Sequence, residues 1–153
     1  MDRTTKAERS IKLSIWIGKP PGQVFKALTA PEELKRWLVP EIDTVENAPR
    51  RLLFIYPHHS FEIEFLQMVP DREVTLSWFN EKGVGDRIEF HLEPVNEGTM
   101  VKFRHVGFNP GPEYQQIFTD HVEGWTMYLC NLRCYLDADF DLRSDQPPGT
   151  IAM

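Results

Sequence analysis

The sequence predicts an α+β domain: a curved, mostly antiparallel sheet of about six or seven strands around one long C-terminal helix, with two short helices after the first strand. Three observations carry this expectation. Ile117, Phe118, Val122, Trp125, Leu129, Leu132 and Leu136 recur at three- and four-residue spacing, the apolar stripe of a helix of roughly 25 residues. From Glu41 to Phe108 the chain instead runs in short alternating segments divided by turn residues. No crossover helices separate those segments, so parallel pairing is excluded. A sheet with one apolar face needs a cover, and the C-terminal helix is the only element long enough to provide it. Strong curvature then leaves a cavity between sheet and helix, a place that ligands favour.

The elements follow in order. Ile11, Leu13, Ile15 and Ile17 alternate with Lys12, Ser14 and Trp16, the period of two of a half-buried strand. Pro20 and Pro21 open a short helix, where a missing N–H costs nothing, and Val24, Phe25 and Leu28 mark its buried side. Thr29-x-x-Glu32 has the spacing of a capping box for a second helix, with Pro31 in its first turn, Leu34, Trp37 and Leu38 on its apolar face and Pro40 as its stop. Strands are expected near 42–46, 51–56, 61–69, 73–79, 87–94 and 99–108, with turns at Pro70-Asp71, Gly83 to Asp86 and Asn96-Glu97-Gly98. The long helix follows Pro110-Gly111-Pro112.

A chain of 153 residues with 41% hydrophobic content suits one domain, placed at 11–140, with a polar N-terminal tail at 1–10 and a flexible C-terminal tail at 141–153. A net charge of -6 argues against nucleic acid as a partner, because phosphate affinity is built from clustered Lys and Arg. No apolar run reaches the roughly 18 residues that span a bilayer, and residues 1–10 lack a signal-peptide core, so no membrane insertion and a cytoplasmic location are expected. Cys130 and Cys134 lie four apart on one helix face, poorly placed to bridge each other, and both are expected to fill space there. Neither a nucleophile elbow, a Walker loop, a dinucleotide fingerprint nor a His-Glu-x-x-His motif occurs, and no cofactor is expected.

The stretch from Pro21 to Trp37, PGQVFKALTAPEELKRW, resembles the opening of the SRPBCC, or START-like, helix-grip (pollen-allergen-like) domains. In particular it is similar to the branch named after the C-terminal domain of the heat-shock chaperone ATPase activator. Val74 to Trp78, Gly98 to Val101, His105 to Phe108 and His121 to Trp125, with Leu129, Leu132, Tyr135 and Leu136, resemble that branch in identity and order, covering Ile11 to Asp139. The resemblance implies the fold and leaves the substrate open, because these are mainly packing and turn residues. Ala30 departs from the Asp or Asn usual before the proline, and no glycine-rich loop follows Glu46, which distances the chain from plant hormone and allergen-type binders.

The expected ligand-binding residues are Trp37, Phe54, Tyr56, Trp78, Phe103, His105, Phe118, His121 and Trp125. Seven of them form an aromatic wall. His105 shares a strand face with Val101 and Phe103, and His121 lies on the helix stripe where it could meet His105 across the cavity. A buried histidine either fixes structure by its hydrogen bonds or anchors a ligand head group. A metal site would want a third ligand that no spacing supplies, so none is expected. Glu62 and Glu64 leave inside and outside open, with a solvated sheet face the cheaper placement, and His58 and His59 fall in an exposed turn. Trp16, alternating away from Ile15 and Ile17, points either to a homodimer contact or to a tucked-in neighbour.

Three functions compete on this reading. The first is binding of a small apolar or amphipathic molecule in the cavity. The second is an enzyme of the polyketide cyclase or hydrolase type, implied by the wider superfamily, with His105 or His121 as acid or base. The third is a co-chaperone-like contact with a chaperone, which the family resemblance implies.

Overall fold

The computed structural model describes residues 8–79 and 82–145. Its elements are β1 (Arg9–Ile17), α1 (Pro21–Thr29), α2 (Pro31–Trp37), β2 (Glu41–Thr44), β3 (Arg51–Tyr56), β4 (His59–Val69), β5 (Glu73–Trp78), β6 (Arg87–Val95), β7 (Gly98–Phe108) and α3 (Gln115–Ala138). One sheet of seven strands has the order β1-β7-β6-β5-β4-β3-β2, every pair antiparallel. The first strand therefore closes onto the last, while β2 to β7 form a meander. The inner face buries Ile11, Ile17, Ile63, Val74, Ile88 and Val101, and α3 covers it with Trp125, Leu129 and Leu132.

Local chemistry sets the curvature. Between β6 and β7, Asn96 and Glu97 both take positive φ (49° and 64°), the two-residue turn whose twist matches its flanking strands. Gly98 follows because a Cβ there would lie 2.4 Å from the Ile17 carbonyl oxygen. In β4 the register shifts between Phe65 and Gln67, so Leu66 is the extra residue of a bulge. Arg50 donates from Nε to the Phe65 carbonyl at 2.9 Å and from Nη2 to the Leu66 carbonyl at 3.3 Å, which holds the bend.

The register also settles Glu62 and Glu64. Ile63 between them is buried, so both carboxylates point outward, where Arg51 meets Glu62 at 3.3 Å and Glu64 at 3.5 Å. Trp16 is tucked in: its Nε1 donates to the Val95 carbonyl at 2.8 Å, and the Arg133 guanidinium stands 5.8 Å from its ring. Cys134 is half-buried and Cys130 is exposed, so only the former fills space, because Cys130 falls on the solvent side of the stripe.

The expected capping box does not form. Thr29 is the last residue of α1, and its Oγ1 donates to the Phe25 carbonyl at 2.9 Å. Ala30, extended (φ -82°, ψ 128°) before Pro31, is at once the C-cap of α1 and the N-cap of α2, with no side chain able to accept from the first turn.

After α3, Asp139 takes the left-handed conformation (φ 52°, ψ 41°) that ends the helix. The next residues, expected to begin a flexible tail, are tied down over 141–143; residues 146–153 lie outside the described ones. Asn131, fully buried on α3, donates to the Trp37 carbonyl at 2.9 Å and to Asp141 Oδ1 at 3.0 Å, and accepts from Leu142 N at 2.6 Å. Arg143 donates to the Lys35 carbonyl at 2.8 Å. This strap joins the ends of α2 and α3.

An uncapped α2 can be improved. Ala30→Asn should stabilise the fold by about 1 kcal/mol, since an Asn side chain can accept from a first-turn N–H where Ala has no acceptor. Urea unfolding should show a higher midpoint at unchanged slope; an unmoved midpoint would show that the position does not act as a cap.

Candidate functional site

Between the sheet and the helices lies a small internal space. Leu28 of α1 and Leu34, Trp37 and Leu38 from α2 and its end close one side. Phe54, Phe65, Leu76 and Trp78 of β3 to β5 form the floor, Ile88 and Phe90 of β6 continue it, and Trp125 of α3 covers it. Every lining residue is apolar. The remaining volume is about 10 Å³, room for about one water molecule.

Of the nine expected residues, Trp37, Phe54, Trp78 and Trp125 meet around this space. Phe103 stands behind Trp125, ring centroids 4.6 Å apart. Tyr56 sits at the rim, its hydroxyl donating to the Leu38 carbonyl at 3.4 Å. His105, His121 and Phe118 gather separately around Phe108, with centroids at 4.7, 5.5 and 5.3 Å from that ring. Trp78, 5.8 Å from His105, joins the two groups.

The aliphatic part of the wall is not among the nine expected residues. Leu76 shares the phase of Trp78, and Leu34 and Leu38 share a helix face with Trp37, so periodicity contained the signal. Tyr128, buried three residues past Trp125 and four before Leu132, shares the stripe's helical spacing, so periodicity carried its signal as well.

His105 is 0% exposed and its two ring nitrogens are both bonded. Trp125 Nε1 donates to Nδ1 at 3.0 Å, so the ring proton is on Nε2, which donates to the Gly85 carbonyl at 2.9 Å. A Cβ on Gly85 would stand 2.8 Å from the imidazole, so only glycine lets this carbonyl approach. Burial pulls the His105 pKa down to about 3; the bond to Gly85 opposes the shift and His121 adds to it. The ring is neutral, with no nitrogen left for a ligand.

His121 is half-buried, its ring centroid 6.0 Å from that of His105. Its Nδ1 donates to the Ile117 carbonyl one turn back at 2.9 Å. Burial lowers its pKa too, against the opposing effects of that bond and of Asp120. Among the described residues no group of three or more His, Cys, Asp or Glu is arranged to hold a metal ion. No helix of the described residues is long and apolar enough to cross a membrane.

At the β3–β4 hairpin, His58 and His59 are exposed, as expected of that turn. His59 stacks on Tyr56 at 5.0 Å, and Tyr56 stacks on Phe61 at 5.8 Å. Phe61 in turn touches Trp78 at 4.4 Å. A continuous run of rings thus leads from the surface to the wall of the internal space.

The His105 pKa fixes a pH dependence. The folded value lies below the unfolded one, so the ring's contribution is complete above about pH 6.5 and is lost as pH falls towards 3. Between pH 7.5 and 5 the loss should reach about 2 kcal/mol, and His105→Gln, which cannot titrate, should lack that part of the slope. Denaturant unfolding at both pH values checks this; His121 titrates in both proteins and cancels. Equal slopes would refute a buried neutral ring.

The model of the family described as Activator of Hsp90 ATPase homolog 1-like protein matches residues 19–137. No curated protein matches the chain. Among solved structures, the Aha1 dimer from Colwellia psychrerythraea superposes with a TM-score of 0.73 at 21% identity, over 85% of this chain and 97% of that one. SSP2350 from Staphylococcus saprophyticus gives 0.72 at 18% identity, over 88% and 96%. CalU16 from Micromonospora echinospora gives 0.67 at 24%, over 89% and 79%. These likenesses establish the helix-grip fold. With the family model spanning all three helices and six of the seven strands, the chain belongs to the Activator of Hsp90 ATPase homolog 1-like family.

Proposed function

We propose that this domain binds a small apolar or amphipathic molecule between its sheet and α3. The observation that supports the reading is the wall: seven elements and the turn after α2 converge on one space, and no polar side chain faces it. An occupant would be held by burial and dispersion. Trp37, Phe54, Trp78 and Trp125 would touch it directly, with Tyr56 at the rim and Phe103 behind Trp125. His105, His121 and Phe118 would frame the far end. Because the closed space holds about 10 Å³, binding requires the wall to move, and the run of rings from His59 to Trp78 offers the route.

Native mass spectrometry of the purified chain and displacement of a fluorescent lipid test the proposal. A retained small-molecule mass, or displacement by apolar competitors accompanied by a change in tryptophan emission, is expected. No retained mass and no displacement across a broad panel would defeat it.

A homodimer is a second reading, favoured by the dimer that the Colwellia psychrerythraea Aha1 forms. Because Trp16 is bonded to the Val95 carbonyl, such a contact would not depend on its side chain. Light scattering should give twice the chain mass for wild type and for Trp16→Ala alike; a monomer in wild type would remove the reading.

A further inference from the structure

A ligand with a polar group needs hydrogen-bonding atoms beside the apolar wall that can change partner. The two polar clusters that adjoin the wall differ in this respect. At the end near His105 both ring nitrogens are committed, to Trp125 and to Gly85. At the other end stand two phenols. Tyr56 is two residues from Phe54 on β3, and its hydroxyl donates to the carbonyl of Leu38; Phe54 and Leu38 both line the space. Tyr128, buried on α3, packs its ring 6.3 Å from Trp125, which also lines the space. The phenols of Tyr56 and Tyr128 stand close enough for each to influence the other's ionisation.

We infer that the hydroxyl groups of Tyr56 and Tyr128 are the polar anchor of the internal site and converge on a carbonyl oxygen, so that the ligand is an apolar skeleton bearing a ketone or similar carbonyl. This rests on the ligand-binding reading above and narrows it to a chemical class.

Three observations support the choice. The Tyr56–Leu38 bond, at 3.4 Å, is near the outer limit of a hydrogen bond, so exchanging it for a ligand oxygen costs little. A carbonyl oxygen has two lone pairs and can accept from two phenols at once. Burial pushes both phenols above the ordinary tyrosine value, so both remain donors at neutral pH. Charge excludes the obvious alternative, a carboxylate. The nearby cation, Arg143, is already paired: Nε to Asp141 Oδ1 at 3.0 Å, Nη2 to Asp141 Oδ2 at 3.0 Å, and Nη2 also to the Lys35 carbonyl. The cluster is therefore neutral, and a neutral acceptor suits it better than an anion.

The test compares 1-indanone with indane, the same bicyclic skeleton with and without the carbonyl, on wild type, Tyr56→Phe and Tyr128→Phe. Each variant keeps its ring and loses only the hydroxyl. The affinity ratio of indanone to indane should fall roughly three- to tenfold in each variant, the worth of one neutral hydrogen bond. The carbonyl stretch of bound indanone should lie at lower frequency in wild type than in either variant. An unchanged ratio and an unchanged stretch in both variants would overturn the anchor while leaving the binding site standing. If neither probe binds wild type, the ketone class falls, while the broad panel above decides the ligand reading.

Discussion

The hydrogen bond from the Trp125 indole to His105 is the contact on which the rest of the interior is hung. It joins the middle of α3 to β7, and through His105 Nε2 it reaches the Gly85 carbonyl before β6. A buried indole N–H and a buried imidazole would each be costly alone; bonded to each other they fix the angle of both rings. Trp125 then packs against Phe103 at 4.6 Å and edge-on to Trp78 at 5.8 Å. The position of the aromatic wall follows from a polar pair.

Polar clamps also fix the ends of α3. At its start Arg9 lies over the Phe118 ring at 4.7 Å and donates from Nη2 to the Asn109 carbonyl at 3.3 Å, binding β1 to the segment that leads into the helix. At its end Asn131 and the 141–143 strap bind α3 to α2. Burial alone would raise the Asp141 carboxyl; hydrogen bonds from Arg143 and Asn131 hold it below its ordinary value instead. A helix held at both ends and at one central point leaves the intervening face to non-directional apolar packing. That face is where an occupant can be accommodated with least loss of specific bonds.

The sequence was most legible where periodicity is strict. β3 was placed at 51–56 and β5 to β7 within a residue at either end, because alternation and turn residues agree there. It was least legible where one residue serves two elements. Ala30 ends one helix and starts the next, so the Thr29 side chain that would cap α2 belongs to α1 instead. The Leu66 bulge left no mark, since a single extra residue does not disturb a short alternating pattern. Of the site, the buried His105 and four wall aromatics were visible by phase. What completes them was not: the carbonyl of Gly85 and the buried Asn131 are defined by distances across elements far apart in the chain.

The smallness of the internal space bears on how tightly any occupant is held. With about 10 Å³ free, the closed form cannot admit a molecule the size of a single ring, and the proposed binding would need a conformer in which wall side chains have turned away. Apparent affinity then scales with the population of that conformer, so a form present at about 1% weakens binding about a hundredfold. β2 to β4 lie farthest from β1 in the sheet order and present the half-buried Phe61 and the exposed His59 at their hairpin. Movement confined to this side would open the wall at Phe54 and Trp78 and leave the Trp125–His105 bond intact. The polar pair that orients the helix and the phenols proposed as an anchor stand at different ends of the same wall, so that one could hold still while the other exchanged partners.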